Sequence, residues 1–269
     1  MIAALLFAAM VSPQPSPNPY VIYRQALQRL GTLPQPRYIV ETQRQLISTI
    51  RNGELRDQTD HTARYVYDSN TRRECGFFLP LSRTDQPFIG ESHFPPDLWL
   101  LHPNGKPAPT SAGNVTPDVS DIKTIATALA MGRPSYNIRF VGIDTINGAK
   151  TYHLALKPLV DPHRHNLREL WIDVSNYNIV RAVIEGKYRL RDDDVLADTL
   201  VTEDFGDVGG YWLVVHKLWS YYRPFSAITY RFDFASLSMQ FPPSVPVWLF
   251  DRKAFMAHAF STSDPILKS

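Results

Sequence analysis

Two histidines close to an aspartate form the segment that most resembles a metal site. His163 and His165 follow Asp161 in the sequence DPHRHN, and imidazole and carboxylate groups are common zinc ligands. Side chains at alternate positions of a loop rarely point at one ion, and no H-E-x-x-H pattern or cysteine pair accompanies them. We therefore interpret this segment as a solvated loop, and we expect no metal or other cofactor.

Acidic residues offer two further candidates for chemistry. The run Asp192 to Asp194 has the oxygen ligands that calcium prefers, but it lacks the spacing and the glycine of a calcium loop, so a charged hairpin turn is the better interpretation. Asp173 follows Trp171 and Ile172, and a general base would need a reacting group within hydrogen-bond reach. Since Val174-Ser175-Asn176 follows it, we predict that Asp173 caps a turn instead.

Nucleophilic and nucleotide chemistry have little support in the sequence. There is no G-x-S-x-G elbow, and Gly209-Gly210 precedes a strand pattern rather than a helix, which is wrong for a phosphate loop. The one cysteine, Cys75, lies in the apolar sequence CGFFL, which predicts a buried, unreactive thiol. His153, His216 and Asp173 are the conceivable seeds of a catalytic cluster. We expect that the protein is not an enzyme, with a hydrolase kept as an alternative.

A series of antiparallel strands must position any site in this chain. Asn147-Gly148 is the strongest hairpin signal, because both residues accept the positive φ angles of a type I′ turn. It joins strands predicted over 139–146 and 151–157. Further strands are predicted over 37–48, 62–68, 72–79, 168–174, 179–190 and 228–235, mostly with alternating apolar and polar residues. Such alternation is typical of antiparallel strands with one buried face.

Two helices are expected to cover that face. Asn18-Pro19 has the form of an N-cap followed by proline at the first helical position, and apolar residues then recur at helical spacing as far as Leu30. Thr116-Pro117 opens a second helix that ends at Gly132. Between them, residues 80–115 are rich in Pro, Gly and Asn, which predicts a long irregular segment of the kind that forms lids or partner contacts.

The N-terminus and the charge indicate where the protein works. Ile2 to Val11 is an apolar run of signal-peptide length, too short to span a bilayer as a helix, so residues 1–17 are interpreted as a signal peptide and Pro-rich linker. Residues 18–269 are expected to form one domain. The formal net charge is +2 with no basic stripe, so no nucleic-acid partner is expected. The mature form is expected to be soluble in the periplasm or otherwise exported.

Three ordered segments resemble a known family. FVGIDTINGAKTYHLALKP, LRELWIDVSNYNIVRAVI and DFGDVGGYWLVVHKLW are similar to successive hairpin elements of the outer-membrane lipoprotein-sorting (LolA/LolB-like) superfamily, with Leu213-Val214 where a proline is common. The resemblance implies an α+β fold, a highly curved antiparallel sheet forming an open half-barrel with helices covering the concave face. It also implies a cavity for lipid acyl chains or a lipidated polypeptide. The segment 80–115 and the tail after Pro242 lie outside the family pattern.

The expected function is therefore non-enzymatic binding of a lipid or lipidated polypeptide, with transient membrane contact during transfer. Since each buried methylene contributes about 0.8 kcal/mol, an apolar face could hold an acyl chain without specific polar contacts. The alternative is an envelope sensor or interaction module of the same fold, whose partner is a membrane regulator. The residues predicted to line the cavity are Tyr152, Leu154, Leu156, Leu170, Ile172, Val180, Ala182, Ile184, Ile228, Tyr230, Phe232 and Phe234.

Overall fold

The fold is built on a sheet of eleven antiparallel strands, seen in a computed structural model. The structure describes residues 17–84, 86–91, 136–159, 167–189, 196–223, 226–260 and 265–267. The strands are β1 Tyr38–Arg51, β2 Glu54–Asp68, β3 Arg73–Leu79, β4 Phe88–Glu91, β5 Tyr136–Ile146, β6 Ala149–Pro158, β7 Leu167–Asp173, β8 Ile179–Arg189, β9 Leu196–Val208, β10 Tyr211–Arg223 and β11 Ile228–Gln240. The helices are α1 Pro19–Leu30 and α2 Arg252–His258, with short 3-10 helices at Val247–Phe250 and Pro265–Leu267.

The strand order is β4-β3-β2-β1-β11-β10-β9-β8-β7-β6-β5. Neighbouring strands in this order are consecutive in the sequence, except for β1 and β11. The pairing of β1 with β11 brings the two halves of the chain together. The outermost strands β4 and β5 do not pair with each other in this order, so the sheet is open. The fold is the expected α+β open half-barrel.

The hairpin turns follow from residues that accept positive φ. Asn147 and Gly148 have φ angles of 50° and 82°, as the type I′ turn requires. Asn52 and Gly53 repeat this geometry between β1 and β2, with φ angles of 53° and 82°. This second turn was not predicted, and it makes β2 eight residues longer at its N-terminal end than the strand predicted from Thr62.

Helix α1 has the predicted boundaries for the predicted reason. The Asn18 side chain accepts a hydrogen bond from the Tyr20 backbone N–H, and the helix ends at Gly31. Its buried residues are Ile22, Tyr23, Ala26, Leu27 and Leu30, one stripe at helical spacing. Because isolated helices of this length are marginal in water, α1 is held by the packing of this stripe on the sheet.

The strand register divides the sheet into two faces. Opposed residues of antiparallel strands share a face, so the pairs Glu41–Tyr65, Lys217–Phe234 and Leu154–Leu170 trace one face from β2 to β7. We call this the inner face. It carries α1, because the buried cluster on this side joins the apolar stripe of the helix to Leu154, Leu170 and other residues of β5 to β9.

The sheet curves around the inner face. Glu74 on β3 and Glu203 on β9 line one cavity of about 260 Å³. These two strands are five strand spacings apart in the sheet, which is about 24 Å in a flat sheet. A cavity of this size can touch both only if the inner face is concave. Bulges at Thr42/Gln43 and Val214/His216 contribute to the bend.

The opposite, outer face is covered at its β1–β3 end by the C-terminal segment. Phe255 of α2 packs against Phe77, with ring centroids 5.5 Å apart, in a buried cluster that also contains Val66 and Cys75. The described helices therefore lie on opposite faces, α1 on the concave one and α2 on the convex one. The second predicted helix, 116–132, and most of the segment 80–115 lie outside the described residues. In the part of the chain that is described, no helix has the length and hydropathy to cross a membrane.

Candidate ligand-binding site on the inner face

The twelve residues predicted to line a cavity divide into two groups. Leu154, Leu156, Leu170, Ile172, Ala182 and Ile184 belong to the buried cluster beneath α1, and Tyr152 packs at its margin. Val180 is buried beside a bulge and is not part of that cluster. In this conformation the space above these residues is filled by the helix.

The other four residues form part of an open aromatic surface. Tyr230, Phe232 and Phe234 of β11 lie on the inner face opposite Tyr221, Trp219 and Lys217 of β10, and Ile228 lies opposite Arg223. The rings of Trp219 and Phe232 have centroids 5.0 Å apart, as do those of Tyr221 and Tyr230. All five aromatic side chains are only half-buried. We call Trp219, Tyr221, Tyr230, Phe232 and Phe234 the inner aromatic ladder.

A cavity lies at one end of this ladder. Its volume is about 260 Å³, and Trp219 and Phe234 belong to both the cavity wall and the ladder. Tyr65 and Tyr67 of β2 complete the aromatic part of the wall. The rest of the wall is mixed: Val214 and Val215 are apolar, and the polar residues are Glu41, Gln43, Glu74, Glu203, His216, Lys217 and Ser236.

Three glutamates in this wall are buried. Glu41 and Glu203 are each 2% exposed and Glu74 is 7% exposed, whereas carboxylates are rarely buried without partners. Glu203 Oε1 lies 3.1 Å from Lys217 Nζ. Glu41 accepts hydrogen bonds from Ser236 Oγ, from Gln43 Nε2 at 3.4 Å and from the Tyr67 hydroxyl at 3.4 Å.

Burial governs the protonation of these groups. Loss of solvent raises the pKa of Glu41, although its hydrogen bonds and the charge of Lys217 act in the opposite direction. Burial likewise raises the pKa of Tyr67 well above its ordinary value, and the neighbouring charges of Glu41 and Glu74 add to this effect. The cavity is thus a desolvated site in which burial disfavours the charged forms of Glu41 and Tyr67.

The sequence analysis missed these glutamates, although a signal for Glu203 exists. Glu203 shares strand parity with Val201 and Phe205, so it stands among apolar residues of its own strand, whereas Glu41 shares parity with Gln43 and Gln45 and has no such signal. A carboxylate at the position of Glu203 is directed into the interior, where it needs a hydrogen-bond or charge partner.

The histidines proposed as catalytic seeds lie on the outer face. Both ring nitrogens of His153 contact carboxylates, Asp144 at 3.1 Å and Glu169 at 3.1 Å. Both ring nitrogens of His216 do the same, with Asp204 at 3.3 Å and Asp233 at 2.9 Å. Each imidazole is thus held between two carboxylates of neighbouring strands.

These two histidines belong to one line of polar contacts across the outer face. Trp171 stacks on the His153 ring at 4.2 Å and lies under the Arg181 guanidinium. Arg181 Nη2 donates to Asp204 Oδ2 at 2.9 Å, and Asp204 in turn contacts His216. His153 and His216 lie four strands apart, about 19 Å at the usual strand spacing, and hence do not share a site.

The remaining candidate residues from the sequence either have a local structural role or lie outside the described residues. Asp173 Oδ1 accepts hydrogen bonds from the backbone N–H groups of Ser175 and Asn176 at 2.7 and 3.3 Å, which confirms the predicted turn cap. Cys75 is fully buried, and burial raises its pKa to about 12. Asp161, His163, His165 and Asp192–Asp194 lie outside the described residues, and within those that are described no group of His, Cys, Asp and Glu side chains is arranged to hold a metal.

Comparison with known proteins yields structural similarities alone. No family model and no curated protein matches the chain. Among solved structures, a domain assigned to outer-membrane lipoprotein sorting from Vibrio parahaemolyticus matches with 12% identity and a TM-score of 0.46, over 89% of this chain and 100% of that one. A LolA superfamily protein from Nitrosomonas europaea matches with 13% identity and a TM-score of 0.40, over 86% and 98%. The lipoprotein LppX of Mycobacterium tuberculosis matches with 13% identity and a TM-score of 0.28, over 84% and 97%.

Two of these proteins carry the name of the superfamily that the sequence motifs resemble. Their identities and TM-scores are low, so no property of theirs is transferred to this chain. The fold of this protein rests on its own strand order and register.

Proposed function

We propose that this protein is a non-enzymatic binding protein for lipids or lipidated polypeptides, which holds an acyl chain along the inner aromatic ladder. The single observation that carries the proposal is the partial exposure of five aromatic side chains on a concave face. An apolar surface of this kind in a soluble protein usually marks a site for a ligand or partner.

The dimensions of the ladder suit an acyl chain. From Ile228 to Phe234 the strand advances about 20 Å at about 3.4 Å per residue. Half of a bilayer's hydrocarbon core, about 15 Å, is the length over which one acyl chain extends. An acyl chain lying lengthwise on the ladder would therefore contact its rings along most of the acyl chain's length.

The proposal includes a use for the remaining inner face. Helix α1 occupies the part formed by β5 to β9, and its displacement would expose the buried leucines and isoleucines predicted to contact ligand. Reversible contact of this kind suits a carrier that receives and releases its cargo.

The apolar run at the N-terminus supports export to the periplasm or beyond.

Native mass spectrometry tests the proposal. The mature protein, purified from the envelope of its own host, should carry lipid at about one per chain, identified after solvent extraction. A bare protein mass, together with no uptake of a fluorescent fatty acid, would contradict lipid binding and favour the alternative of a protein-interaction module.

Adjacent tyrosines on opposite faces provide a matched pair of variants. Tyr221 lies on the inner face opposite Tyr230, and Tyr222 lies on the outer face opposite Thr229. We expect Tyr221→Ala to weaken fatty-acid binding about tenfold, the factor produced by about 1.4 kcal/mol of lost contact, and Tyr222→Ala to leave it unchanged. Equal effects of the two variants would show that the ligand does not lie on the ladder.

A further inference from the structure

The inner aromatic ladder has an arginine on each side at the end away from the cavity. Arg51 of β1 and Arg223 of β10 both lie opposite Ile228, the first residue of β11. Opposed residues of antiparallel strands share a face, so both arginines stand on the inner face, on the two strands that flank β11. Since neighbouring strands lie about 4.8 Å apart, the Cα atoms of the two arginines are separated by about 10 Å.

The guanidinium of Arg223 reaches the ladder itself. Its Cζ atom lies 5.5 Å from the centroid of the Tyr230 ring, an outermost ring of the ladder. A guanidinium has five N–H donors in a planar fork that matches the oxygens of a carboxylate or a phosphate. Arg223 can therefore donate to an anion in addition to the contacts that it already makes within the protein.

Arg51 lies at the solvent-exposed rim of the inner face. Along β1, the residues that share its parity pass from buried at Gln45 to exposed at Arg51. The Asn52 backbone N–H donates to the Ala227 carbonyl at 3.4 Å, which joins two turns of the chain at this rim. A charged head group bound here would keep part of its water, so it avoids the desolvation cost of a buried ion.

The described carboxylates at this end of the inner face lie one strand further from the ladder. Glu54 and Asp57 of β2 are opposite Arg51 and Thr49 of β1, so β1 separates them from β11. Glu54 Oε2 also contacts Arg56 Nη2 at 2.7 Å. The positive groups of this rim are thus nearer the ladder than the negative ones.

We propose that the ladder binds an amphiphile whose anionic head group, a carboxylate or a phosphate, is held between Arg51 and Arg223 at the rim. The inference rests on the proposed function, because it takes the ladder as the acyl site, and it adds the chemistry and the direction of the ligand. The acyl chain then runs toward Phe234, about 20 Å away along β11. This direction keeps the anion apart from the glutamates of the cavity.

Amphiphiles with one chain and different head groups test this inference. Dodecyl phosphate, dodecyl maltoside and dodecyltrimethylammonium are titrated below their micellar concentrations into the delipidated mature protein, with isothermal calorimetry as the measurement. We expect the anion to bind at least about tenfold more tightly than the cation, with the neutral maltoside between them. The preference should decrease as salt is added, because the rim is exposed to solvent.

The outcomes separate the two proposals. Equal affinities for the three amphiphiles, or a preference for the cation, would overturn the head-group inference while supporting acyl binding. Binding by none of them would overturn the proposed function as well. Inorganic phosphate, which has no acyl chain, should bind much more weakly than dodecyl phosphate. If it binds equally tightly, the rim is a site for free phosphate and the inference of an amphiphile is wrong.

Variants assign the preference to the rim. We expect Arg223→Met to reduce the affinity for dodecyl phosphate about tenfold and to leave maltoside affinity unchanged. Arg51→Met should have a smaller effect in the same direction, because contacts of an exposed charge are screened. Methionine keeps a long apolar side chain at both positions while the charge is removed.

Arg231→Met is the matched control. Arg231 is exposed on β11 itself, but it lies opposite Ser48 and Ser220 on the outer face, so the variant removes the same charge from the other side of the ladder strand. If neither rim variant weakens dodecyl phosphate binding, or if Arg231→Met weakens it equally, the anion does not bind between Arg51 and Arg223. The affinities of the unmodified protein decide the question if a variant fails to fold.

Discussion

At the scale of single residues, burial of polar atoms dominates the chemistry of this protein. Tyr23 of α1 is 1% exposed, and its hydroxyl has no hydrogen-bond partner among the described residues. Tyr136 in the same cluster is also buried, but its hydroxyl accepts a hydrogen bond from the Leu167 backbone N–H at 3.4 Å. Two tyrosines in one core therefore differ in whether their polar atom is satisfied.

This difference predicts opposite effects of removing the hydroxyl. We expect Tyr23→Phe to stabilise the protein by about 1 kcal/mol, since a buried unpaired hydroxyl costs about 1–3 kcal/mol. Tyr136→Phe should destabilise it by a similar amount, because the Leu167 amide loses its acceptor. Urea unfolding of both variants is the measurement, and destabilisation by Tyr23→Phe would show that its hydroxyl has a partner in solution.

The raised pKa of Glu41 predicts that the stability of the protein depends on pH. Its folded pKa lies above the ordinary value of 4.5, so the folded state holds this proton more tightly than the unfolded state. The free energy of unfolding should therefore fall as pH rises from about 4.5 through the folded pKa. We expect Glu41→Gln to be more stable than the parent chain at neutral pH and to lose this advantage below pH about 4.5. Denaturant titrations across this range measure it, and a constant difference between the two proteins would contradict the assignment.

At the scale of elements, the sheet is held by different interactions on its two faces. The inner face from β5 to β9 is apolar and packs on α1. The outer face carries the polar line from Asp144 through Arg181 and Asp204 to Asp233, which joins strands β5 to β11. Asp204 is central to it, because its buried carboxylate accepts from Arg181 and contacts His216.

Removing this charge should destabilise the sheet. We expect Asp204→Asn to cost about 2 kcal/mol, since hydrogen bonds to charged groups contribute about 1.5–3 kcal/mol and both Arg181 and His216 would lose contact with a carboxylate. Glu185→Gln is the control on the same face, because Glu185 pairs with Arg168 with 61% of its side chain exposed and should change stability by less than about 0.5 kcal/mol. Chemical denaturation compares the two, and equal costs would refute the central role of Asp204.

At the scale of the whole molecule, two apolar clusters on opposite faces hold the sheet. One joins α1 to the inner face, and the other joins α2 and the 3-10 helices to the outer face of β1 to β3. Phe255 is fully buried in the second cluster, against Phe77 and Trp248. The C-terminal segment thus shields strands that would otherwise expose apolar side chains, Cys75 among them.

Truncation of this contact should release the segment. We expect Phe255→Ala to cost about 3–5 kcal/mol and to make the Cys75 thiol react with a thiol reagent under native conditions. In the parent chain that thiol should react only on unfolding, because it is buried with a pKa raised to about 12. Val247→Ala is the control, since Val247 is 86% exposed in the neighbouring 3-10 helix. Equally slow labelling in Phe255→Ala would show that other contacts hold the segment.

Local sequence determined much of this protein. The caps of α1, the Asn147-Gly148 turn, the Asp173 turn cap and the alternation of β11 depend on residues within a few positions of one another, so short-range steric and hydrogen-bonding rules are sufficient to predict them. The ordered hairpin motifs likewise predicted an open antiparallel half-barrel.

Only the tertiary structure decided how the inner face is used. Strand parity grouped Leu154 and Phe232 each with the residues that share its face. It could not show that α1 covers Leu154 and leaves Phe232 partly exposed, because that depends on where a distant helix packs. Glu41, Glu74 and Glu203 come from three strands far apart in sequence, and curvature of the sheet brings them to one cavity. Burial and charge compensation are sums over such non-local neighbours, and for that physical reason the candidate site became visible only in the folded chain.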